Sequence, residues 1–224
     1  VKVRLLIVAL ALVAFQTAEP ARRDASNVIT IIALGDSLTA GFGLSRQEAY
    51  PALVAEKMRA AGYEFEVVNA GSSGDTTAGG LRRLPAILRA HKKIDIFILE
   101  LGINDAFRGV PIDQIRANLQ AIIDQVRTRH PKAAIVIAGM QLPDFSSDDY
   151  VGAFSGIFAA LAEKNRATLI PYLLEGVGGN PDLNQWDRVH PNAAGQRVLA
   201  ENVWRVLEPI LRVSASEHRA APVQ

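Results

Sequence analysis

The chain has 224 residues, 49% of them hydrophobic, and its 24 basic and 23 acidic side chains leave a formal charge of +1. That length suits one domain with a core of its own. The balanced charge, without any basic block, argues against a nucleic-acid surface. The lack of cysteine excludes disulfides, thiolate metal sites and a lipid-modified cysteine.

The first residues stand apart. Lys2 and Arg4 precede eleven uninterrupted apolar residues, Leu5–Phe15, and a polar stretch with Pro20 follows. A basic start, a short apolar run and small residues behind it read as a secretory signal, here residues 1–25 with their short polar segment. The run is too short for a comfortable membrane span. The expectation is an exported, periplasmic or secreted, monomeric protein, with one domain over 26–212. Residues 213–224 are small and polar and are expected to fray as a disordered tail.

Short apolar runs then alternate with helical patterns. Val28–Leu34 reads as a first strand. Tyr50, Leu53, Val54 and Met58 share one helix face. Phe65–Asn69 is a second strand, and Leu81, Leu84 and Leu88 mark a helix whose start is blurred by Gly79, Gly80 and Pro85. Ile94–Leu101 is a third strand. Ile112, Ile115, Leu119, Ile122, Ile123 and Val126 form the clearest amphipathic helix. Ala134–Gly139 is a fourth strand, Val151, Phe154, Phe158 and Leu161 line a helix, and Thr168–Pro171 is a short fifth strand. A helix with Val198, Leu199, Val203, Val206, Leu207 and Ile210 on its apolar face closes the chain. Alternation of this kind predicts an α/β fold: a parallel sheet inside a three-layer α/β/α sandwich.

In such sheets ligands bind beyond the carboxyl ends of the strands. The residues just after each strand are therefore the ones to read together. They are Gly35-Asp36-Ser37, Asn69 to Thr76, Gly102-Ile103-Asn104-Asp105 and, after the fifth strand and a loop, Trp186 to Pro191. Ser37 fits two roles, a nucleophile or a helix N-cap. Of the four histidines, His91 and His130 end helices beside basic residues and His218 lies in the tail. His190 has no such explanation, apart from a place at a helix start before Pro191. Asp187, three residues earlier, can orient its ring or be a simple loop residue. Ser37, His190 and Asp187 together have the makings of nucleophile, base and orienter. The backbone N–H groups of Ser37 and Gly74 and the amide of Asn104 are available as oxyanion donors, or as ordinary turn residues.

Four ordered blocks, GDSL (35–38), NAGSSGDT (69–76), GIND (102–105) and DRVH (187–190), resemble those of the GDSL or SGNH hydrolases. The resemblance runs from about Ile29 to Leu211. ELGINDAFRG (100–109) and RLPAIL (83–88) resemble the exported single-domain branch of arylesterases, acyl thioesterases and lysophospholipases. The resemblance implies a five-stranded, flavodoxin-like sandwich. It also implies Ser37 as nucleophile, His190 as base, Asp187 as its partner, and Ser37, Gly74 and Asn104 as the oxyanion hole. No metal or organic cofactor is implied. The substrate expected is a small acyl ester, thioester or lysophospholipid; a carbohydrate O-acetyl ester is the alternative within the superfamily. One departure stands out: the residues between acid and base, often Gly-Ile in this branch, are Arg188-Val189 here, preceded by Trp186.

Asp36, Met140, Leu142, Phe145, Trp186 and Arg188 are the candidates for contact with substrate. Met140, Leu142 and Phe145 follow the fourth strand and fit equally as packing residues under a loop. Asp148 and Asp149 read as a helix N-terminus. A phosphate- or nucleotide-binding module is a rival of another class, since residues 71–80 are glycine-rich. No G-x-x-x-x-G-K-[ST] is present, however. A metal hydrolase using Asp187 and His190 falls short in ligand number.

Overall fold

The structure, a computed structural model, describes residues 28–142 and 148–220. The signal-like segment of residues 1–25 lies outside them. Five strands form one parallel sheet in the order β2-β1-β3-β4-β5. They are β1 (Ile29–Gly35), β2 (Phe65–Gly71), β3 (Ile96–Glu100), β4 (Ala134–Ala138) and β5 (Thr168–Ile170). The helices are α1 (Ser37–Ala40), α2 (Tyr50–Ala60), α3 (Thr77–Ala90), α4 (Ile103–Phe107), α5 (Ile112–Arg129), α6 (Asp148–Asn165) and α7 (Ala193–Ala220). Helix α2 packs against α7, while α3, α5 and α6 pack in a row. The expected α/β/α sandwich with a flavodoxin-like strand order is what the chain forms.

Burial follows the order of the strands. Every residue of β1 and β3 is buried, because each lies between two other strands and under helices on both faces. Strand β2 is an edge strand and only half-buried. Its register pairs Gly71 with Gly35, and β3 pairs Glu100 with the same Gly35. The chain steps from β1 outward to β2 and then back across to β3. This reversal opens a crevice beyond the carboxyl ends of β1 and β3.

Three differences from the sequence reading have physical causes. Helix α3 begins at Thr77, capped by the Thr76 hydroxyl accepting from the Gly79 N–H at 3.1 Å, and runs through both glycines. Those glycines answer a packing need. A Cβ on Gly80 would lie 2.3 Å from the Leu101 side chain, and one on Gly79 would lie 1.7 Å from the Asp75 carboxylate. Helices α1 and α4 are too short to show a hydrophobic period. Finally, α7 reaches Ala220, so much of the segment expected to fray is helical. From Val213 to Ala220 there is no glycine or proline to stop the helix; Pro222 follows.

Candidate active site

The site is assembled at the crevice. Strand β1 ends at Gly35, and the next residue, Asp36, caps α1 by accepting from the Leu38 N–H at 3.0 Å. Ser37 is thus the first residue of α1 rather than its cap, and its side chain sits at the helix mouth with 7% exposure. Its hydroxyl lies 2.9 Å from His190 Nε2, and His190 Nδ1 lies 2.7 Å from Asp187 Oδ2. Three side chains separated by up to 153 positions therefore form one hydrogen-bonded line.

The loop that presents His190 is held from several sides. Helix α7 starts only at Ala193, under Asn192, whose side chain accepts from the Ala194 and Gly195 N–H groups. Pro191 and His190 therefore belong to the loop before it. Asp187 Oδ1 accepts the backbone N–H groups of Val189 and His190 at 2.9 and 3.0 Å, leaving Oδ2 for the ring. Gln185 donates to the Phe42 carbonyl at 2.6 Å and ties this loop to the one after α1. Gly43, with φ of +75°, leaves room for that amide: a Cβ there would lie 2.3 Å from Gln185 Oε1. The Phe42 ring lies against the His190 ring, centroids 4.5 Å apart.

Partial burial raises the pKa of Asp187, but donation from the His190 backbone, the His190 ring and the Val189 N–H outweighs it and brings the carboxyl down to about 2. The group is a carboxylate throughout the neutral range.

Gly74 sits at φ +76° in the turn after β2, a conformation suited to glycine. Neither its N–H nor that of Ser37 makes a hydrogen bond among the described residues. Asn104, in α4 after β3, donates from Nδ2 to Asp36 Oδ2 at 2.9 Å and to the Asp75 carbonyl at 3.0 Å. Both its amide protons are engaged here.

The comparisons with known proteins follow the same blocks. The family model described as GDSL-like Lipase/Acylhydrolase matches residues 33–198. The esterase TesA of Pseudomonas aeruginosa is 41% identical over 182 residues, spanning 81% of this chain and 89% of the relative. The chain belongs to the GDSL-like lipase/acylhydrolase family. The Escherichia coli thioesterase 1/protease 1/lysophospholipase L1 is 36% identical to this family member over 81% of the chain and 85% of the relative. Among solved structures, that of TesA superposes with a TM-score of 0.76 at 40% identity, covering 80% of this chain and 98% of that one. The structure of the esterase EstA from Pseudoalteromonas, inhibited by monoethylphosphonate, has a TM-score of 0.76 at 30% identity over 82% and 98% of the two chains.

Of the six residues expected to touch substrate, the lipase/acylhydrolase chain exposes two. Trp186 is 92% exposed, and Arg188 is exposed beside it. Asp36, Met140 and Leu142 are buried: the first caps α1 and accepts from Asn104, and the others belong to the core cluster. Phe145 lies outside the described residues. The Gly-Ile departure also has a structural counterpart, since Arg188 holds φ at +58°, in the left-handed region.

The roles of two residues, one buried and one half-buried, escaped the sequence reading. Glu100, the last residue of β3, is completely buried beside the turn that carries Ser37. Its Oε2 accepts from the Thr39 hydroxyl at 2.7 Å and the Asp36 N–H at 3.1 Å, while Oε1 has no partner. Burial, with Asp36 adding to it, pushes this carboxyl well above the usual range. Gly35 makes the contact possible, since a Cβ there would lie 2.5 Å from Glu100 Oε2. Arg83, on α3, reaches across the strand ends to the Gly35 carbonyl at 2.8 Å, the Ala70 carbonyl at 2.5 Å and Asp75 at 2.6 Å. A lone Glu closing the apolar run IFILE was the available signal for the first. Nothing in the spacing marks the second. Among the described residues, no group of three His, Asp or Glu side chains is placed to hold a metal ion.

Proposed function

We propose that this chain is a serine hydrolase that cleaves carboxylic esters or thioesters through an acyl-enzyme. The observation that carries the reading is the 2.9 Å approach of Ser37 Oγ to His190 Nε2, with Asp187 2.7 Å from the other ring nitrogen. Free serine is a weak nucleophile, and a base in hydrogen-bond reach activates it. His190 takes the Ser37 proton as the oxygen attacks the carbonyl. Asp187 keeps the Nδ1 proton in place and offsets the imidazolium charge without accepting the proton. The oxyanion forms toward the N–H groups of Ser37 and Gly74. It also draws one amide proton of Asn104 away from its present acceptor, because an anionic oxygen is a stronger acceptor than a peptide carbonyl. His190 then protonates the leaving alcohol or thiol. Water, losing its proton to His190, attacks the acyl carbon and returns free acid and Ser37.

The thioesterase, lysophospholipase and arylesterase names of the relatives support acyl esters and thioesters as the substrate class. The basic start and apolar run of residues 1–25 support export, with 26–212 as the hydrolase domain. Among the described residues no helix is long and apolar enough to cross a membrane.

The test is a panel of p-nitrophenyl esters of graded chain length beside an acyl-CoA and a lysophospholipid, with a Ser37→Ala control. Ser37→Ala is expected to lower kcat by roughly 10^4–10^6, because nucleophile and base act as a unit. An organophosphonate is expected to attach at Ser37. A Ser37→Ala protein with most of its esterase activity would defeat the reading.

A further inference from the structure

Five large apolar side chains are exposed among the described residues, and three of them lie near His190, two in its own loop and one against its ring. Trp186 and Val189, 92% and 48% exposed, flank the acid and base in sequence, and Phe42, 46% exposed, lies against the His190 ring. Monomeric soluble proteins scatter such residues singly; a group at the mouth of a site marks a binding surface. Two exposed guanidiniums share this rim. Arg188 lies between Asp187 and His190, and Arg108 donates to the Gly74 carbonyl at 2.9 Å. Neither forms an ion pair among the described residues.

We propose that this rim docks the protein on an anionic phospholipid surface, with Trp186 inserted at the headgroup level and Arg108 and Arg188 against lipid phosphates. The proposal rests on the placement of the active site at the same crevice, and adds the surface from which acyl substrate is drawn. Indole suits this location because its apolar body and N–H tip prefer a boundary between hydrocarbon and water. Guanidinium suits phosphate, which it can bind with two parallel hydrogen bonds. The formal charge of the whole chain is only +1, so attraction to an anionic surface has to come from local charge such as this. Arg188 also holds a left-handed backbone position where glycine would be unstrained, so a long charged side chain stands there at some cost in stability.

The test uses the Ser37→Ala protein, so that lipid is not consumed. Vesicles of phosphatidylcholine are compared with vesicles of equal parts phosphatidylcholine and phosphatidylglycerol, at low and high salt. Co-sedimentation is expected with the anionic vesicles, strongest at low salt. Each of Arg108→Ala and Arg188→Ala is expected to lower the partition about five-fold, and Trp186→Ala roughly ten-fold. The chain has two tryptophans. With Trp204→Phe also in place, emission from Trp186 is expected to shift to the blue on binding and to resist an aqueous quencher. Circular dichroism and melting of each variant confirm the fold.

Equal partition into both kinds of vesicle, no partition at all, or partition indifferent to Trp186→Ala would overturn the proposal. So would capture of monomeric lysophospholipid without binding to vesicles. Because binding is read in the absence of turnover, these outcomes leave the serine-hydrolase reading to its own test.

Discussion

Asn104 donates to Asp36: the amide Nδ2 lies 2.9 Å from a carboxylate oxygen that is wholly buried beside the nucleophile turn. The bond holds the amide beside the residue that precedes Ser37, and the Asp75 carbonyl takes its other proton. Asn104→Ala removes one oxyanion donor and leaves Asp36 Oδ2 buried without a partner. We expect kcat to fall about 10^2–10^3-fold and stability to fall by about 1–3 kcal/mol. Steady-state kinetics on the folded fraction, with a denaturant melt, checks both. An unchanged kcat would remove Asn104 from the oxyanion hole.

Asp36 itself sets a pH dependence of stability. Burial raises its pKa from 3.8 to about 6, against the opposing pull of the Leu38 N–H, Glu100, His190 and Asn104. The folded state therefore favours the neutral acid. That preference stabilises fully below the unfolded value of 3.8 and is lost as pH rises through about 6. Asp36→Asn, always neutral, does not share this loss. The stability difference between the two proteins is expected to move in favour of the variant as pH rises from 4 to 7. Melts at both ends measure it, and a difference that stays flat would show that Asp36 titrates normally.

The sheet was legible because its strands are continuous apolar runs and its helices keep a 3.6 period. Ile115, Leu119, Ile122, Ile123 and Val126 fall on one buried face of α5 as their spacing requires. The nearness of Ser37, Asp187 and His190 could be anticipated from the rule that strand ends converge. What stayed hidden was governed by packing at a distance. Gly79 and Gly80 look like helix breakers until Asp75 and Leu101 are seen pressed against them. Asp36, Met140 and Leu142 follow strands, and their burial depends on packing that no local pattern encodes. Glu100 and Arg83 act on residues 60 or so and nearly 50 positions away, at Thr39 and Gly35, and no local pattern encodes such partners.

Asp187 offers a sharper test than its removal. Its Oδ1 already accepts two backbone N–H groups, so Asp187→Asn would keep a carbonyl oxygen there and turn its NH2 toward His190 Nδ1. The ring would have to accept at Nδ1 and carry its proton on Nε2, facing Ser37, where it could no longer act as base. We expect kcat to drop about 10^3–10^4-fold with the fold intact. Because the carboxyl of Asp187 is held down to about 2, the unsubstituted enzyme keeps this carboxylate throughout the neutral range, and the stability it contributes, full above the unfolded value of 3.8, is lost as pH falls from there through about 2. A variant that retains most of its kcat would show that ring orientation comes from elsewhere.

Arg188 is a position where stability and surface chemistry pull apart. Its φ of +58° places a side chain in a region that costs L-residues about 1 kcal/mol and glycine almost nothing. Arg188→Gly removes that strain, though a more flexible unfolded chain offsets part of the gain. Arg188→Ala keeps the strain and loses the guanidinium. Comparing the two isolates the backbone effect: the glycine variant is expected to be more stable than the alanine variant by about 0.5–1 kcal/mol, while both lose the same affinity for anionic vesicles. Thermal melts and co-sedimentation on the same preparations read the two quantities separately. If alanine proved as stable as glycine, the left-handed turn between Asp187 and His190 would not be strained. The usual glycine of this branch would then need another explanation than backbone geometry.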